Sequence, residues 1–141
     1  MPKSFQQKLK ILYLMRVFAE KTDEAHPMSV KDLIAYLENF GIHAERKTIY
    51  DDIETLRVFG MDIMNRRERP SGFYLASREF EVAELKLLVD AVQSSRFLTT
   101  GKSRQLIQKL ESLTSIYQAK DLQRQVIVQN RVKNTNENIY Y

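Results

Sequence analysis

Two short helical patterns separated by only a few residues constrain this chain most. From Ser29, the residues Leu33, Ile34 and Leu37 line one face, and Ser29 and Asp32 have the spacing of a capping box. In the second pattern, which contains the stretch ERKTIYDDIETL, Ile49, Ile53 and Leu56 recur at i, i+4 and i+7, while Lys47, Tyr50, Asp51 and Glu54 point roughly the other way. Gly41 suits the left-handed position that ends the first helix, and Gly60 closes the second. Two short helices joined by so tight a turn predict a helix-turn-helix. An earlier core helix is predicted over 4–21 from the spacing of Phe5, Leu9, Leu12, Tyr13, Arg16, Val17 and Ala19, with Leu12 and Met15 widening the apolar face. The polar stretch KTDEAHPM contains Pro27, which a helix interior rejects, and reads as a loop.

After Gly60 the period changes. MDIMNRR and FYLAS read as short strands flanking ERPSG, whose Pro70 and Gly72 suit a hairpin tip. Three helices followed by a β-hairpin predict a winged helix-turn-helix over residues 1–78, so the expected class is mainly α with a small β-hairpin. Two further amphipathic patterns follow: one over 81–97 with Val82, Leu85, Leu88, Val89 and Val92, and one after 99–101 with Leu106, Ile107, Leu110 and Leu113. They predict a helical hairpin over 79–117 that buries its stripe against the winged helix or a second copy, through Leu85, Val89, Leu106, Leu110 and Leu113. A C2 homodimer is the commonest solution. Residues 118–141, rich in Asn, Gln and cations with one β-prone VIV run, read as a linker. They end in NIYY, which resembles the start of another element, so the chain reads as a fragment.

Composition narrows the function classes. The 141 residues include no Cys and only two separated histidines, His26 and His43, so neither a thiolate site nor zinc is expected, and no cofactor is read. No run approaches a membrane span and the N-terminus lacks a signal-peptide core; the expected setting is the cytoplasm. The GKS triplet at 101–103 lacks the earlier glycine of a phosphate loop and follows a helix instead of a strand. Asp51, Asp52 and Glu54 have no partner cluster on the sequence, and no nucleophile and base pair stands out, so no enzyme is expected.

The net charge of +4 is modest, so the placement of the cations matters more than their number. Arg46 and Lys47 open a helix whose dipole favours acids there. An external anion would explain the order. With the helix in a major groove, Arg46, Lys47 and Thr48 would meet phosphates or base edges, and Tyr50 and Asp51 would reach deeper. Arg66, Arg67 and Arg69 of the wing would enter or flank the minor groove. Ser29 and Lys31 at the start of the preceding helix would hold a phosphate. The bland alternative treats Lys47–Asp51 and Arg57–Glu54 as helix-surface pairs worth a few tenths of a kcal/mol. A winged helix used for protein interaction is the alternative from another class.

The stretches RKTIYDDIETLRVFGMDI and FEVAELKLLVDAVQSSRFLTTGKSRQLIQKLESLTS resemble DeoR-type winged-helix transcriptional regulators that carry a WYL domain. The similarity covers nearly the whole chain. It implies a regulator that binds operator DNA through its winged helix and dimerises through the following helical segment, with a C-terminal Sm-like β-barrel that senses a small-molecule or nucleotide effector. QRQVIVQNRVKNTNENIYY looks like the lead into that barrel. The family's Trp-Tyr-Leu signature needs a tryptophan and this chain has none, which places the barrel outside this sequence. Carried over residue by residue, the contact region falls on Arg46, Lys47, Thr48 and Tyr50. Asp51, where many relatives have Arg, and Glu45, where a Ser or Asp cap is usual, depart from the pattern. The implied operator is an inverted repeat with half-sites about one helical turn apart, or a multiple.

Overall fold

A computed structural model describes residues 3–128, which are mainly helical with one small two-stranded antiparallel sheet. The chain divides into two compact units between Arg78 and Glu79.

In the first unit, α1 (Lys3–Lys21), α2 (Val30–Glu38) and α3 (Arg46–Phe59) precede β1 (Ile63–Arg66) and β2 (Gly72–Leu75). The Ser29–Asp32 capping box forms in both directions, each bond at 3.1 Å. After α2 the chain turns through Gly41 at φ +72°, a left-handed conformation that glycine adopts without Cβ strain. Ile42 and Ala44 in this turn are buried, so the turn is part of the core and its geometry is held from inside. Leu33 and Leu37 of α2, Ile49, Ile53 and Leu56 of α3, and Leu14, Val17 and Phe18 of α1 make the core with Ile63 and Phe73 of the sheet.

The face of α1 differs from the sequence expectation. Phe5 and Leu12 are exposed, whereas Leu14, Phe18 and Lys10 are among the buried side chains. Lys10, 2% exposed, reaches Asp52 of α3 at 2.9 Å. A buried ammonium is tolerated when a carboxylate meets it, and this pair turns a polar position into part of the α1–α3 seam.

β1 and β2 pair from Ile63 opposite Leu75 to Arg66 opposite Gly72. On its other edge Phe73 exchanges both backbone hydrogen bonds with Met28, at 2.9 and 2.8 Å, which ties the hairpin to the residues just before α2. Arg78 donates to the carbonyls of Ala19 at 2.6 Å, Thr22 at 2.7 Å and Phe18 at 3.4 Å. A cation on the orphan carbonyls of a helix C-terminus is favourable, and this one closes α1 from a position 59 residues further along the chain.

The second unit contains α4 (Val82–Ser94), α5 (Thr100–Glu111) and α6 (Ile116–Val128), and α4 packs on both of the others. Thr99 caps α5 by accepting from the Lys102 amide at 3.1 Å, so the GKS triplet lies in an ordinary first helical turn. The linker expected from Gln118 is helical as far as Val128, and the VIV run lies in this helix: Ser115 accepts from the Gln118 amide at 3.1 Å, starting α6. The NIYY end, read as the start of a sensor domain, lies outside the described residues. Among the described residues no helix is long and apolar enough to cross a membrane.

Candidate nucleic-acid interface

The two helices of the tight-turn pair begin in opposite ways. The first turn of α2 is closed on itself, since the Ser29 hydroxyl and amide and the Asp32 amide and carboxylate satisfy one another. At α3 the N-cap residue Glu45 is extended but its side chain makes no capping bond, and the first turn holds no acid. The Thr48 hydroxyl donates to the Glu45 carbonyl at 2.8 Å and leaves the amides of that turn uncapped. Uncapped amides, the positive end of the dipole, Arg46 and Lys47 therefore coincide at one exposed helix start, which favours an anion.

Along α3 the polar residues divide into two stripes. Lys47, Asp51, Glu54 and Val58, spaced at i, i+4, i+7 and i+11, are exposed and lie farthest from the core residues Ile49, Ile53 and Leu56. Arg46, Tyr50 and Arg57 form the flank toward the hairpin. The Tyr50 ring meets Phe73 of β2 edge to face at 6.0 Å, and the Arg57 guanidinium lies 5.9 Å from the same ring while its Nε donates to the Ile63 carbonyl at 2.8 Å. Arg46 lies 5.7 Å from the Tyr50 ring centre and donates to the Tyr50 hydroxyl at 3.2 Å. Tyr50 thus points along the helix–hairpin joint and not straight outward with Lys47 and Asp51, as the sequence reading had it.

The charges on this face are not mutually neutralised. Glu54 is held by Arg57 at 2.6 Å and Asp52 by Lys10, but Lys47 and Asp51 form no ion pair. The Lys47–Asp51 surface pair of the bland alternative does not form, and among the described residues no carboxylate pairs with the Lys47 ammonium.

The structure distributes the remaining sequence-predicted residues unevenly. Lys31 is exposed, but the Ser29 side chain and amide are occupied by the capping box, leaving it poorly suited to the phosphate contact expected of it. Arg67 and Arg69 stand exposed at the hairpin tip. Arg66, expected beside them as a contact, is half-buried: Nη1 donates to the Glu24 carbonyl at 2.8 Å and Nη2 to the Arg69 carbonyl at 3.4 Å, so it ties the tip to the loop after α1. Sequence reading missed Val58, which at 87% exposed is the most open apolar side chain of α3. Its signal was an apolar residue out of register with the 49–53–56 stripe.

In the second unit Leu85 and Val89, expected at a dimer contact, are fully buried among its own helices and offer no surface to another chain. Leu106 and Leu110 are half-buried and Leu113 is exposed. The exposed apolar side chains of this unit include Leu87, Phe97 and Ile116, none of which the dimer reading named.

Comparison of the chain with protein-family models, curated proteins and solved structures gives no match.

Proposed function

We propose that the chain is a sequence-specific DNA-binding transcriptional regulator, non-enzymatic, with residues 3–78 acting as a winged helix-turn-helix. In this reading α3 lies in the major groove with its N-terminal turn against the backbone and base edges, and the β1–β2 tip sets Arg67 and Arg69 on the minor groove or its phosphates. The observation that carries it is the start of α3: uncapped amides with exposed Arg46 and unpaired Lys47 beside them. Lys47 and Arg46 supply phosphate or guanine contacts, and Asp51, on the outermost stripe, accepts from a cytosine N4. The resemblance to DeoR-type regulators supports the same reading.

Fluorescence anisotropy on labelled duplex from the protein's own upstream region, compared with scrambled duplex across a salt series, tests the proposal. The expected result is tight, salt-steep binding to the first and weaker binding to the second. Arg46→Ala and Lys47→Ala should each cost about 1–3 kcal/mol where a base contact is lost, or reduce the salt slope by about one where the contact is a phosphate. Unchanged operator binding in both variants would remove the assignment.

The exposed Leu87, Phe97, Leu113 and Ile116 support homodimerisation through the second unit, with a surface shifted from the one read in the sequence. Light scattering at micromolar concentration should give twice the chain mass, and a monomer would refute it. The same apolar residues favour a protein-interaction module as the second reading. That reading predicts weak, salt-insensitive DNA binding together with a stable complex with another protein.

A further inference from the structure

The contacts of Tyr50 differ from those of a base-reading side chain. It is 41% exposed, its ring edge to face with Phe73 of β2 at 6.0 Å and its ring centre 5.7 Å from the Arg46 guanidinium carbon. The hydroxyl accepts from the same guanidinium at 3.2 Å, so the closest contact between the two side chains is this hydrogen bond, with the ring centre further off. Phe73 is itself fixed: it is buried, it pairs with Met28 through two backbone bonds, and it carries the Arg57 guanidinium on its ring. From Met28 through Phe73 and Tyr50 to Arg46, a chain of direct contacts connects the strand edge before α2 to the first turn of α3.

We infer that Tyr50 is a positioning residue: it holds the Arg46 guanidinium over the joint between α3 and the hairpin, so that the arginine meets its ligand already oriented. The functional meaning rests on the DNA-binding reading, while the orientation itself is a property of the free protein. An arginine in an exposed first turn loses side-chain freedom when it binds, and a guanidinium hydrogen-bonded to a neighbouring side chain has lost part of it beforehand. Lys47, one residue away, has no such support and serves as a mobile point charge.

The experiment has a DNA-free arm and a DNA arm. In the free 141-residue chain, nuclear magnetic resonance relaxation at the Arg46 Nε–H reports the order of the guanidinium. Order is expected in the parent, only part of it in Tyr50→Phe, which keeps the ring but loses the hydroxyl acceptor, and little in Tyr50→Leu, which keeps bulk without a π face. Equal mobility of Arg46 in the parent and in Tyr50→Leu overturns the inference, whatever the DNA result. On a labelled mixed-sequence duplex about three helical turns long, Tyr50→Leu should weaken binding by about two- to fivefold, the size of an exposed cation–π contact. In an Arg46→Ala background the same substitution should change nothing. Additive losses would mean that Tyr50 touches DNA on its own account, and would overturn the positioning role. If Arg46 is ordered by Tyr50 and the parent does not bind duplex at low salt, the positioning stands and the DNA-binding reading falls.

Discussion

Gly72 shows how a single residue can be required by a neighbour far away in sequence. It sits at φ +146°, and a Cβ there would lie 2.5 Å from the Met28 carbonyl carbon and 2.6 Å from its oxygen. Both atoms are backbone in the bridge to Phe73, so neither can swing aside. Gly72→Ala should destabilise the first unit by about 1–3 kcal/mol, seen as a lowered urea midpoint. Gly41→Ala, at φ +72° but in open space, should cost only the left-handed strain, about 1–2 kcal/mol. A loss at Gly41 equal to or larger than that at Gly72 would show that the close approach to Met28 is not limiting. The sequence marked Gly72 as a hairpin-tip residue; that the tip abuts Met28 could not be read there, because the contact spans 44 positions of chain. Lys10 is similar: its burial makes sense only once Asp52 is beside it.

At the scale of elements, α6 was legible and was overlooked. SIYQ has the S-x-x-Q form of a helix start, and Ser115 does cap the Gln118 amide, although the Gln118 side chain turns to the Thr114 hydroxyl. Composition rich in Gln and Asn pointed to a linker, but capping chemistry decides a boundary more directly than composition does. Less legible is the α5–α6 seam, which buries Glu111 to 6% exposed with its Oε2 unpartnered. Burial pushes this carboxyl above the ordinary carboxylate range, and a hydrogen bond with the Gln123 side chain offsets only part of the rise. The folded state therefore holds the proton more tightly than the unfolded chain does. The stability contributed by this group is complete below the ordinary carboxylate value and is lost as pH rises through the raised one. Glu111→Gln should be more stable than the parent at neutral pH by about 1 kcal/mol, with the difference shrinking in mild acid. A difference that grows toward acid would contradict this sign.

The described residues fall into two units, each with buried apolar side chains of its own, and that governs how the molecule should fail. Leu14, Leu33 and Ile53 belong to the first, Leu85 and Val89 to the second. Leu85→Ala removes a fully buried side chain and should cost about 2–5 kcal/mol. Hydrogen exchange should show protection falling more in α4, α5 and α6 than in α1, α2 and α3. An equal loss in every helix would mean that the chain unfolds as one cooperative body.

The start of α2, the stops near Gly41 and Gly60, and the hairpin with its basic tip were determined by the sequence itself, because they depend on contacts within a few residues: a capping box at 29–32, glycines at 41 and 60, a change of period after 60. The cationic start of α3 is in the same class, since Arg46 and Lys47 stand in its first turn wherever the helix packs. Tertiary structure alone decided which cations were free. Arg66 and Arg78 look no different from Arg67 and Arg69 in sequence, yet the first two are held by backbone carbonyls brought in from the α1 region. The same holds for the apolar stripes: α4 presents Leu85 and Val89 to its neighbours and leaves Leu87 outside. Periodicity gives the faces of a helix, but which face is covered depends on long-range packing.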